Sequence, residues 1–139
     1  MRPMVHQVRV IFGDTDKMGV VYYANYLRYF ESARAALLRS RGLSGRDLDS
    51  LGVGFPVAEA HVRYRRPALY EDLLDVHIAI AELGFARVRF EYVVRRGEEV
   101  LADGFTLHAC TDTSGRPCRI PERLRAALEG SVEGSAPVD

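Results

Sequence analysis

Five stretches of the chain alternate between apolar and polar residues, which is the spacing of a β-strand that buries one of its faces. In the first stretch, residues 5–12, the side chains of Val8, Val10 and Phe12 share one face. The apolar faces of the other four stretches consist of Val62 and Tyr64; of Leu74, Val76, Ile78 and Ile80; of Val88, Phe90, Tyr92 and Val94; and of the apolar positions of residues 99–112. The pattern therefore predicts five strands.

Between the first and second strands the apolar period changes from two residues to that of a helix. The residues that repeat at this helical spacing are Tyr26, Phe30, Ala33 and Leu37. They predict a long amphipathic helix that ends at about Arg41. Asn25 is a candidate N-cap for this helix, and Gly42 is a candidate for the residue just past its C-terminus.

Two shorter helical segments are also predicted. Ser44 to Leu51 has the pattern of a capped turn, with Asp47 three residues after the serine. Residues 117–128 have the pattern of a turn followed by a short helix. Because the connections between the later strands are mostly short, we expect an antiparallel sheet with the long helix on one face.

The opposite face of the predicted sheet carries polar side chains, among them Arg87, Arg89 and Glu91. This face is therefore expected either to be exposed to solvent or to meet a second subunit. The length of 139 residues fits one domain. We predict that residues 1–129 form this domain and that residues 130–139, rich in Gly, Ser and Pro, are a disordered tail.

Composition narrows the possible partners. The chain has 19 basic and 19 acidic residues, so the charge excess of a nucleic-acid-binding domain is missing. It contains no apolar run of the roughly 18 residues that cross a membrane and no signal-peptide pattern at the N-terminus. Cys110 and Cys118 are too few for a disulfide scaffold and lack the paired spacing of a zinc site. We therefore expect a cytoplasmic protein.

The candidate chemistry lies in residues 12–26, between the first strand and the long helix. Asp14 and Asp16 lie just ahead of the helix start, where backbone N–H groups have no helical acceptor. A carboxylate beside such donors suits acyl transfer, but from the spacing alone helix capping or turn formation explains the two acids equally well. A calcium loop fits poorly: with Met18 and Asn25 at its fifth and twelfth positions, two ligands are missing, including the bidentate carboxylate.

The sequence of this loop resembles a known signature. It reads FGDTD at residues 12–16, GVVYYANY at 19–26 and FESAR at 30–34. This order resembles the 4-hydroxybenzoyl-CoA thioesterase family of hotdog-fold acyl-CoA thioesterases. Further similarity at residues 62–68, 72–74 and 107–110 extends the resemblance over roughly residues 5–125, which makes it more specific than one short motif.

The resemblance implies a fold, a reaction and an assembly. The fold is α+β, a curved five-stranded antiparallel hotdog sheet wrapped around one long helix. The reaction is hydrolysis of an acyl-CoA thioester, in which coenzyme A is part of the substrate and no metal or other cofactor is needed. The pocket of such enzymes is usually built across a subunit interface, so a homo-oligomer, a dimer or a tetramer, is expected.

The resemblance also assigns roles to individual residues. Asp16 falls on the catalytic carboxylate, which acts as nucleophile or as general base, and the backbone N–H of Tyr23 falls on the oxyanion donor. Asp14 is expected to form the turn, and Gly19 to let the chain approach closely. The residues expected to bind substrate are Gly19, Val20 and Tyr22, together with three arginines suited to the phosphates of coenzyme A, Arg65, Arg66 and Arg87.

One position departs from the acyl-CoA branch of the family, which often has histidine where this chain has Tyr23. The tyrosine resembles the 4-hydroxybenzoyl branch and suggests an aromatic acyl group. However, Tyr22, Tyr26 and Tyr29 lie near helical positions at which core packing is the more common use of an aromatic residue.

Other functions remain open from the sequence. A non-catalytic hotdog protein that binds acyl-CoA or a small ligand would show the same strand pattern. A hotdog hydratase or dehydratase would need a catalytic histidine paired with an acid, and the loop contains no histidine. His108 and Cys110 share one strand face and suggest a thiol nucleophile, although no third group is evident that would orient them.

Overall fold

Five strands form one antiparallel sheet, as the alternating pattern predicts. The structure is a computed structural model that describes residues 3–130. The strands are β1 (Met4–Arg9), β2 (Val57–Tyr64), β3 (Leu73–Leu83), β4 (Arg87–Arg96) and β5 (Glu99–Ala109). They lie side by side in the order β1-β3-β4-β5-β2, and every neighbouring pair is antiparallel. Strands β1 and β2 are therefore the two edges of the sheet.

The long helix α1, Asn25–Ser40, packs on one face of this sheet. Its buried side chains are Tyr26, Tyr29, Phe30, Ala33 and Leu37, which confirms the predicted apolar stripe. The ring of Phe30 stacks on the ring of Tyr92 from β4, with 4.0 Å between the ring centroids. Because burying one large apolar side chain contributes about 1.5–3 kcal/mol, packing of this stripe is the main force that holds α1 on the sheet.

The start of α1 differs from the prediction. Asn25 is not the N-cap, because the helix begins with it and the capping position is occupied by Ala24, whose side chain cannot accept a hydrogen bond. The Asn25 amide instead donates to the backbone oxygen of Asp14 at 2.9 Å. The side chain thus ties the helix to the preceding loop. At the other end Gly42 has a φ of +83°, the left-handed conformation expected of the residue that ends a helix.

Strands β1 and β5 both end three residues before their predicted ends. After β1 the chain buries Val10 and then enters a single 3-10 turn at Phe12–Asp14. Phe12 therefore does not continue the inward face of the strand, and 76% of its surface is exposed. After β5, Thr111 leaves the sheet and forms isolated bridges with loop residues.

Two short helices complete the fold. In α2, Gly45–Ser50, the Ser44 side chain accepts a hydrogen bond from the Asp47 N–H and the Asp47 carboxylate accepts one from the Ser44 N–H, which confirms the predicted cap. Helix α3, Glu122–Leu128, confirms the short helix predicted near the C-terminus. Its last carbonyls, those of Ala127 and Leu128, accept hydrogen bonds from the buried guanidinium of Arg41. No helix within residues 3–130 is long and apolar enough to cross a membrane.

The predicted disordered tail lies outside the described residues, except for Gly130, which follows α3 in a turn.

Gly104 in β5 allows β2 to pair closely along the edge of the sheet. It lies opposite Val62 of β2 and Tyr92 of β4. A Cβ atom at this position would lie 2.0 Å from the backbone oxygen of His61, closer than any real contact. The pairing of these two strands therefore requires a residue without a side chain.

Replacing Gly104 with alanine is expected to lower the free energy of unfolding by at least about 1–3 kcal/mol, because the methyl group forces two backbones apart. The measurement is chemical denaturation, with Gly45→Ala as the matched control. Outside the backbone of α2 itself and the adjacent residues, no described atom lies within 4 Å of a Cβ built on Gly45, at the start of α2, so this change should be neutral or slightly stabilising. Equal stability of the two variants would contradict the close pairing.

Candidate active site

The loop ahead of α1 folds as a tight hairpin. Thr15 and Val21 form an antiparallel bridge, and inside it the Asp16 N–H donates to the Val20 oxygen at 2.9 Å. The Gly19 N–H donates to the Asp16 oxygen at 3.0 Å, and Gly19 has a φ of +80°. Apart from its two chain neighbours, no atom of residues 3–130 lies within 4 Å of a Cβ built on Gly19. The left-handed turn, and not a close approach within the chain, is therefore what requires glycine here.

Asp14 is the buried acid of the loop, with only 5% of its surface exposed. Its Oδ2 atom accepts hydrogen bonds from the Ile11 N–H at 3.1 Å and from the Tyr29 hydroxyl at 2.9 Å. Its backbone oxygen accepts from the Tyr22 N–H and from the Asn25 amide, both at 2.9 Å. These contacts connect both ends of the loop to α1. The expectation that Asp14 forms the turn is confirmed.

The partner hydroxyl on Tyr29 is held in its protonated form. Burial, followed by the hydrogen bond to Asp14, raises the pKa of Tyr29 well above its usual range. The phenol therefore donates to the carboxylate throughout the physiological pH range. The Arg28 guanidinium adds a weaker contact, since its Nη1 atom lies 3.7 Å from Asp14 Oδ1 and most of its side chain is exposed.

Asp16 is exposed, in contrast to Asp14 two residues earlier. Its Oδ1 atom accepts a hydrogen bond from the Met18 N–H at 2.8 Å, which fixes the direction of the side chain. Within residues 3–130, Oδ2 accepts no hydrogen bond. One carboxylate oxygen is thus anchored to the backbone, and the other is available to a water molecule or a substrate.

Two backbone N–H groups without an acceptor lie just ahead of α1. Among the described residues, the N–H groups of Tyr23 and of the N-cap Ala24 donate to no protein acceptor. The helix dipole adds partial positive charge at this end. The Tyr64 hydroxyl donates to the Tyr23 backbone oxygen at 2.9 Å and so holds the peptide between Tyr23 and Ala24 against the end of β2. The N–H predicted to be the oxyanion donor therefore has no acceptor among the described residues, and the peptide that follows it is anchored.

A concavity of about 300 Å³ adjoins Tyr23. It is lined by Val21, Tyr23, Tyr26, Tyr64, Arg65, Arg66 and Pro67. Tyr26 and Tyr29 are buried, which confirms the core packing predicted for them, but Tyr22 is 45% exposed. The Tyr22 ring lies 4.7 Å from the Tyr23 ring, centroid to centroid. The structure thus places exposed aromatic surface and two arginines beside the loop.

The two arginines at this concavity are exposed and paired with carboxylates. The Nε atom of Arg65 lies 2.6 Å from Asp103, and the Nε atom of Arg66 lies 3.2 Å from Glu99. Each pair engages only one edge of a guanidinium group, which has five N–H donors in total. Both side chains therefore keep donors that can contact a phosphate.

Arg87, the third arginine expected to bind substrate, is not part of this arrangement in a single chain. It begins β4, whereas Arg96 at the other end of that strand contacts Asp72 and Pro67, next to the loop. At about 3.3 Å per residue, the length of β4 separates Arg87 from this region by about 30 Å. In one protomer the distance is too long for Arg87 and Asp16 to contact the same group of a substrate.

Arg96 and Asp72 hold the segment that pairs with the loop, although no pattern in the sequence assigned them to the site. Arg96 forms ion pairs at 2.7 Å with both Asp72 and Glu99. Asp72 also accepts a hydrogen bond from the Leu69 N–H, which shapes the segment that pairs with Val20. The signal in the sequence was weak, because the two residues lie 24 positions apart and only the sheet brings them together.

The second candidate nucleophile does not have a suitable environment. Burial, followed by contact with Cys118, raises the pKa of the Cys110 thiol to about 12, so little thiolate is present at neutral pH. The nitrogens of His108 contact the Phe55 oxygen and the Thr106 hydroxyl, and not the thiol. His61 is exposed and stacks on Phe105. None of the four histidines hydrogen-bonds to Asp16 within the chain.

Comparisons with known proteins show the family and the fold. Residues 10–128 match the family model described as the thioesterase-like superfamily. The chain is 34% identical over 125 residues to a 1,4-dihydroxy-2-naphthoyl-CoA hydrolase of Synechococcus elongatus, covering 87% of this chain and 92% of the relative. It is 34% identical over 123 residues to the acyl-CoA thioesterase YbgC of Haemophilus influenzae, covering 87% and 90%.

Among solved structures, the chain resembles Slr0204, a 1,4-dihydroxy-2-naphthoyl-CoA thioesterase from Synechocystis. The TM-score is 0.85 and the sequence identity 26%, with 91% of this chain and 96% of the other covered. The open five-stranded antiparallel sheet with one long helix is therefore the hotdog fold of these thioesterases, as the loop signature implied.

Replacing Tyr29 with phenylalanine is expected to lower the free energy of unfolding by about 1.5–3 kcal/mol, because the buried Asp14 carboxylate loses a hydrogen-bond donor. Amide exchange at Tyr22, whose N–H donates to Asp14, should become faster. The control is Tyr70→Phe, which removes a hydroxyl from a ring that is 51% exposed. If both variants unfold at the same denaturant concentration, the Tyr29 hydroxyl does not stabilise the loop.

Proposed function

The chain belongs to the acyl-CoA thioesterases of the thioesterase-like superfamily, and we propose that it cleaves its substrate with Asp16 as the catalytic carboxylate and the Tyr23 N–H as the oxyanion donor. The family assignment supports thioester hydrolysis. The geometry of the loop supports the assignment of individual atoms to individual steps.

One observation carries this proposal: the two acids of the loop have opposite environments. Asp14 is buried and has two donors on its carboxylate, so it is committed to structure. Asp16 is exposed, anchored through one oxygen and free at the other, in the loop ahead of a helix, and the N–H groups of Tyr23 and Ala24 just before that helix have no acceptor among the described residues. A carboxylate base or nucleophile and an oxyanion site need this combination.

The reaction begins with attack on the thioester carbonyl carbon. Either the Asp16 carboxylate attacks directly and forms a mixed anhydride, or Asp16 removes a proton from a water molecule that attacks. In both routes the carbonyl oxygen becomes negatively charged and accepts a hydrogen bond from the Tyr23 N–H. Collapse of the tetrahedral intermediate breaks the C–S bond and releases the coenzyme A thiolate. In the anhydride route, a second attack by water then releases the acid and restores Asp16.

The remaining parts of coenzyme A fit the surface around the loop. We assign its phosphates to Arg65 and Arg66, whose unpaired N–H donors border the concavity beside Tyr23. The exposed ring of Tyr22 and the backbone of Gly19 and Val20 border the approach to Asp16. The chemistry requires no cofactor beyond the coenzyme A of the substrate. We place the enzyme in the cytoplasm, where its two free thiols would stay reduced.

We propose a homo-oligomer because the edge of the sheet formed by β2 is exposed. In β2 every residue except Val62 is exposed, and the strand pairs with β5 on one side only. The exposed side chains include Val57 and Tyr64, at its two ends. Unpaired strand edges of this kind favour pairing with another chain. If two copies of β2 pair about a twofold axis, Tyr64 and the loop that it holds lie beside the start of the partner's β2.

Asp16→Asn is expected to lower kcat/KM by about 10² to 10⁴ for any acyl-CoA that the parent hydrolyses, because the amide is neither a base nor a nucleophile. Thiol release from a panel of short, long and aromatic acyl-CoAs measures this effect. The matched control is Asp112→Asn, since Asp112 is also a loop aspartate whose Oδ1 accepts the N–H two residues later, at Ser114. A folded Asp16→Asn enzyme with parental turnover would refute the mechanism.

Single turnover in H₂¹⁸O identifies the anhydride route if water attacks the Asp16 carbonyl of the anhydride, because ¹⁸O then enters the Asp16 carboxylate. Attack of water on the acyl carbonyl, in either route, puts ¹⁸O only into the released acid, so label in Asp16 excludes the general-base route.

Ala60→Glu, in the middle of β2, is expected to convert the oligomer into monomers and to lower turnover at least tenfold, because it opposes two like charges across the twofold pairing. Light scattering coupled to size-exclusion chromatography measures the mass. Ala81→Glu makes the same change at an exposed position of β3 and should preserve the dimer. A folded, fully active Ala60→Glu monomer would contradict a site shared between subunits.

A further inference from the structure

A second cavity, of about 270 Å³, lies between α1, the sheet and the two short helices. Its walls are largely apolar and consist of Ala35 and Leu38 of α1, Leu48 of α2, Val88 and Phe90 of β4, Leu124 and Leu128 of α3, and Phe55. The polar side chains that line it are Glu31, Arg34 and His108. Neither Asp16 nor Tyr23 borders this space. It is therefore separate from the concavity at the loop.

A directed chain of hydrogen bonds begins at Arg34 and runs into the core. Arg34 donates through Nη1 to the Tyr92 hydroxyl at 3.0 Å, and the Tyr92 and Thr106 hydroxyls are 2.5 Å apart. The Thr106 oxygen lies 2.9 Å from His108 Nε2, and His108 Nδ1 lies 2.9 Å from the Phe55 backbone oxygen. The carbonyl can only accept, so Nδ1 carries the proton.

The direction of every bond in this chain follows from that proton. Burial lowers the pKa of His108, so the ring is neutral at pH 7 and its Nε2 accepts from Thr106. Thr106 then accepts from Tyr92, and Tyr92 accepts from Arg34. Both nitrogens of His108 and the hydroxyl protons of Tyr92 and Thr106 are thus engaged within this series of hydrogen bonds. The donors still available to a ligand in the cavity are therefore the other N–H groups of Arg34.

The Arg34 guanidinium has no carboxylate within 4 Å among the described residues, although most of its surface is buried. Glu31 lies one turn earlier on the same helix and lines the same cavity, but it is exposed and makes no ion pair with Arg34. A partly buried cation bonded only to a neutral hydroxyl has lost hydration without gaining a counter-charge. An anionic group placed against it would be bound more strongly than on the open surface.

We propose that this cavity binds an organic carboxylate with a compact apolar or aromatic body, with its carboxylate on Arg34 and its body between Leu38, Phe90 and Leu124. The planar guanidinium suits the two oxygens of a carboxylate. The volume of about 270 Å³ lies just below the range of about 300–1,000 Å³ for small-molecule sites, which favours a compact body over a long chain. Only the link to turnover rests on the proposed function: thioester hydrolysis releases a carboxylic acid of this class.

The probes are 2-naphthoate and its neutral amide, 2-naphthamide, which have the same ring system but differ in charge. Isothermal titration calorimetry on the full chain should show binding of the carboxylate and at least about tenfold weaker binding of the amide, since a hydrogen bond to a charged group is worth this much or more. Methyl NMR shifts should change at Leu38, Leu124 and Leu128, and not at Val20 and Val21 in the loop.

Two variants, one that removes a positive charge and one that removes a negative charge, test the assignment of the carboxylate to Arg34. Arg34→Gln can keep the bond to Tyr92 but loses the charge, and it should weaken 2-naphthoate binding by about 10- to 100-fold. Glu31→Gln removes a like charge and should tighten binding a few-fold. Arg39→Gln changes an exposed arginine of the same helix and should have no effect. Leu124→Trp keeps Arg34 and fills the cavity, so it should abolish binding even if Arg34→Gln does not fold.

Equal affinity for the acid and the amide would overturn the proposal. So would equal effects of Arg34→Gln and Arg39→Gln, undiminished binding to a folded Leu124→Trp protein, or NMR shifts confined to the loop. Binding should be unchanged in Asp16→Asn. If Asp16→Asn loses hydrolysis and does not bind 2-naphthoate, only the cavity proposal is refuted. If Asp16→Asn binds 2-naphthoate and hydrolyses acyl-CoA as fast as the parent, only the catalytic proposal is refuted.

Discussion

The buried carboxylate of Asp14 is the constraint on which the rest of the site depends. A charge removed from water must be hydrogen-bonded, and here its donors are the N–H of Ile11, just after β1, and the hydroxyl of Tyr29, in the second turn of α1. The peptide oxygen of the same residue binds the start of α1. One residue therefore joins the strand, the loop and the helix. The hairpin that carries Asp16 is anchored at this junction by Asp14. Only one oxygen of the Asp16 carboxylate is therefore engaged within the hairpin, by the Met18 N–H.

This arrangement gives two acids of the same type opposite environments. Asp14 lies in a 3-10 turn and points inward, whereas Asp16 lies beyond the bridge between Thr15 and Val21 and is exposed. Arg96 also supports the hairpin. Its ion pairs with Asp72 and Glu99 hold the segment around Leu69, which forms a bridge with Val20 of the hairpin. The Asp16 carboxylate can then stay hydrated while its backbone remains fixed, which is the preorganisation that the proposed mechanism requires.

Arginine supplies nearly all the positive charge of this chain, and the structure uses it in three different ways. Arg41 is buried and caps the carbonyl end of α3. Arg96 is neutralised by two carboxylates. Arg34 is largely buried beside an apolar cavity and bonded to a neutral hydroxyl. Composition cannot separate these environments, because each depends on residues that are distant in sequence and become neighbours only when the sheet and helices pack.

The sequence by itself determined the strands, the long helix, the capped turn at Ser44 and the family, because these depend on local periodicity and on an ordered signature. It left the acids of the loop equivalent on spacing, and it offered Arg65 and Arg66, or Arg87, for the phosphates of coenzyme A. It also extended β1 to Phe12 and capped α1 with Asn25. Packing distinguished the two acids and overturned the last two predictions, since burial of Asp14 turns the chain away from the strand and the Asn25 amide bonds to the Asp14 backbone oxygen. The spacing of apolar residues determines which face of a helix or strand is buried. The hydrogen-bond partners of a buried charge depend instead on how the helices and strands pack together.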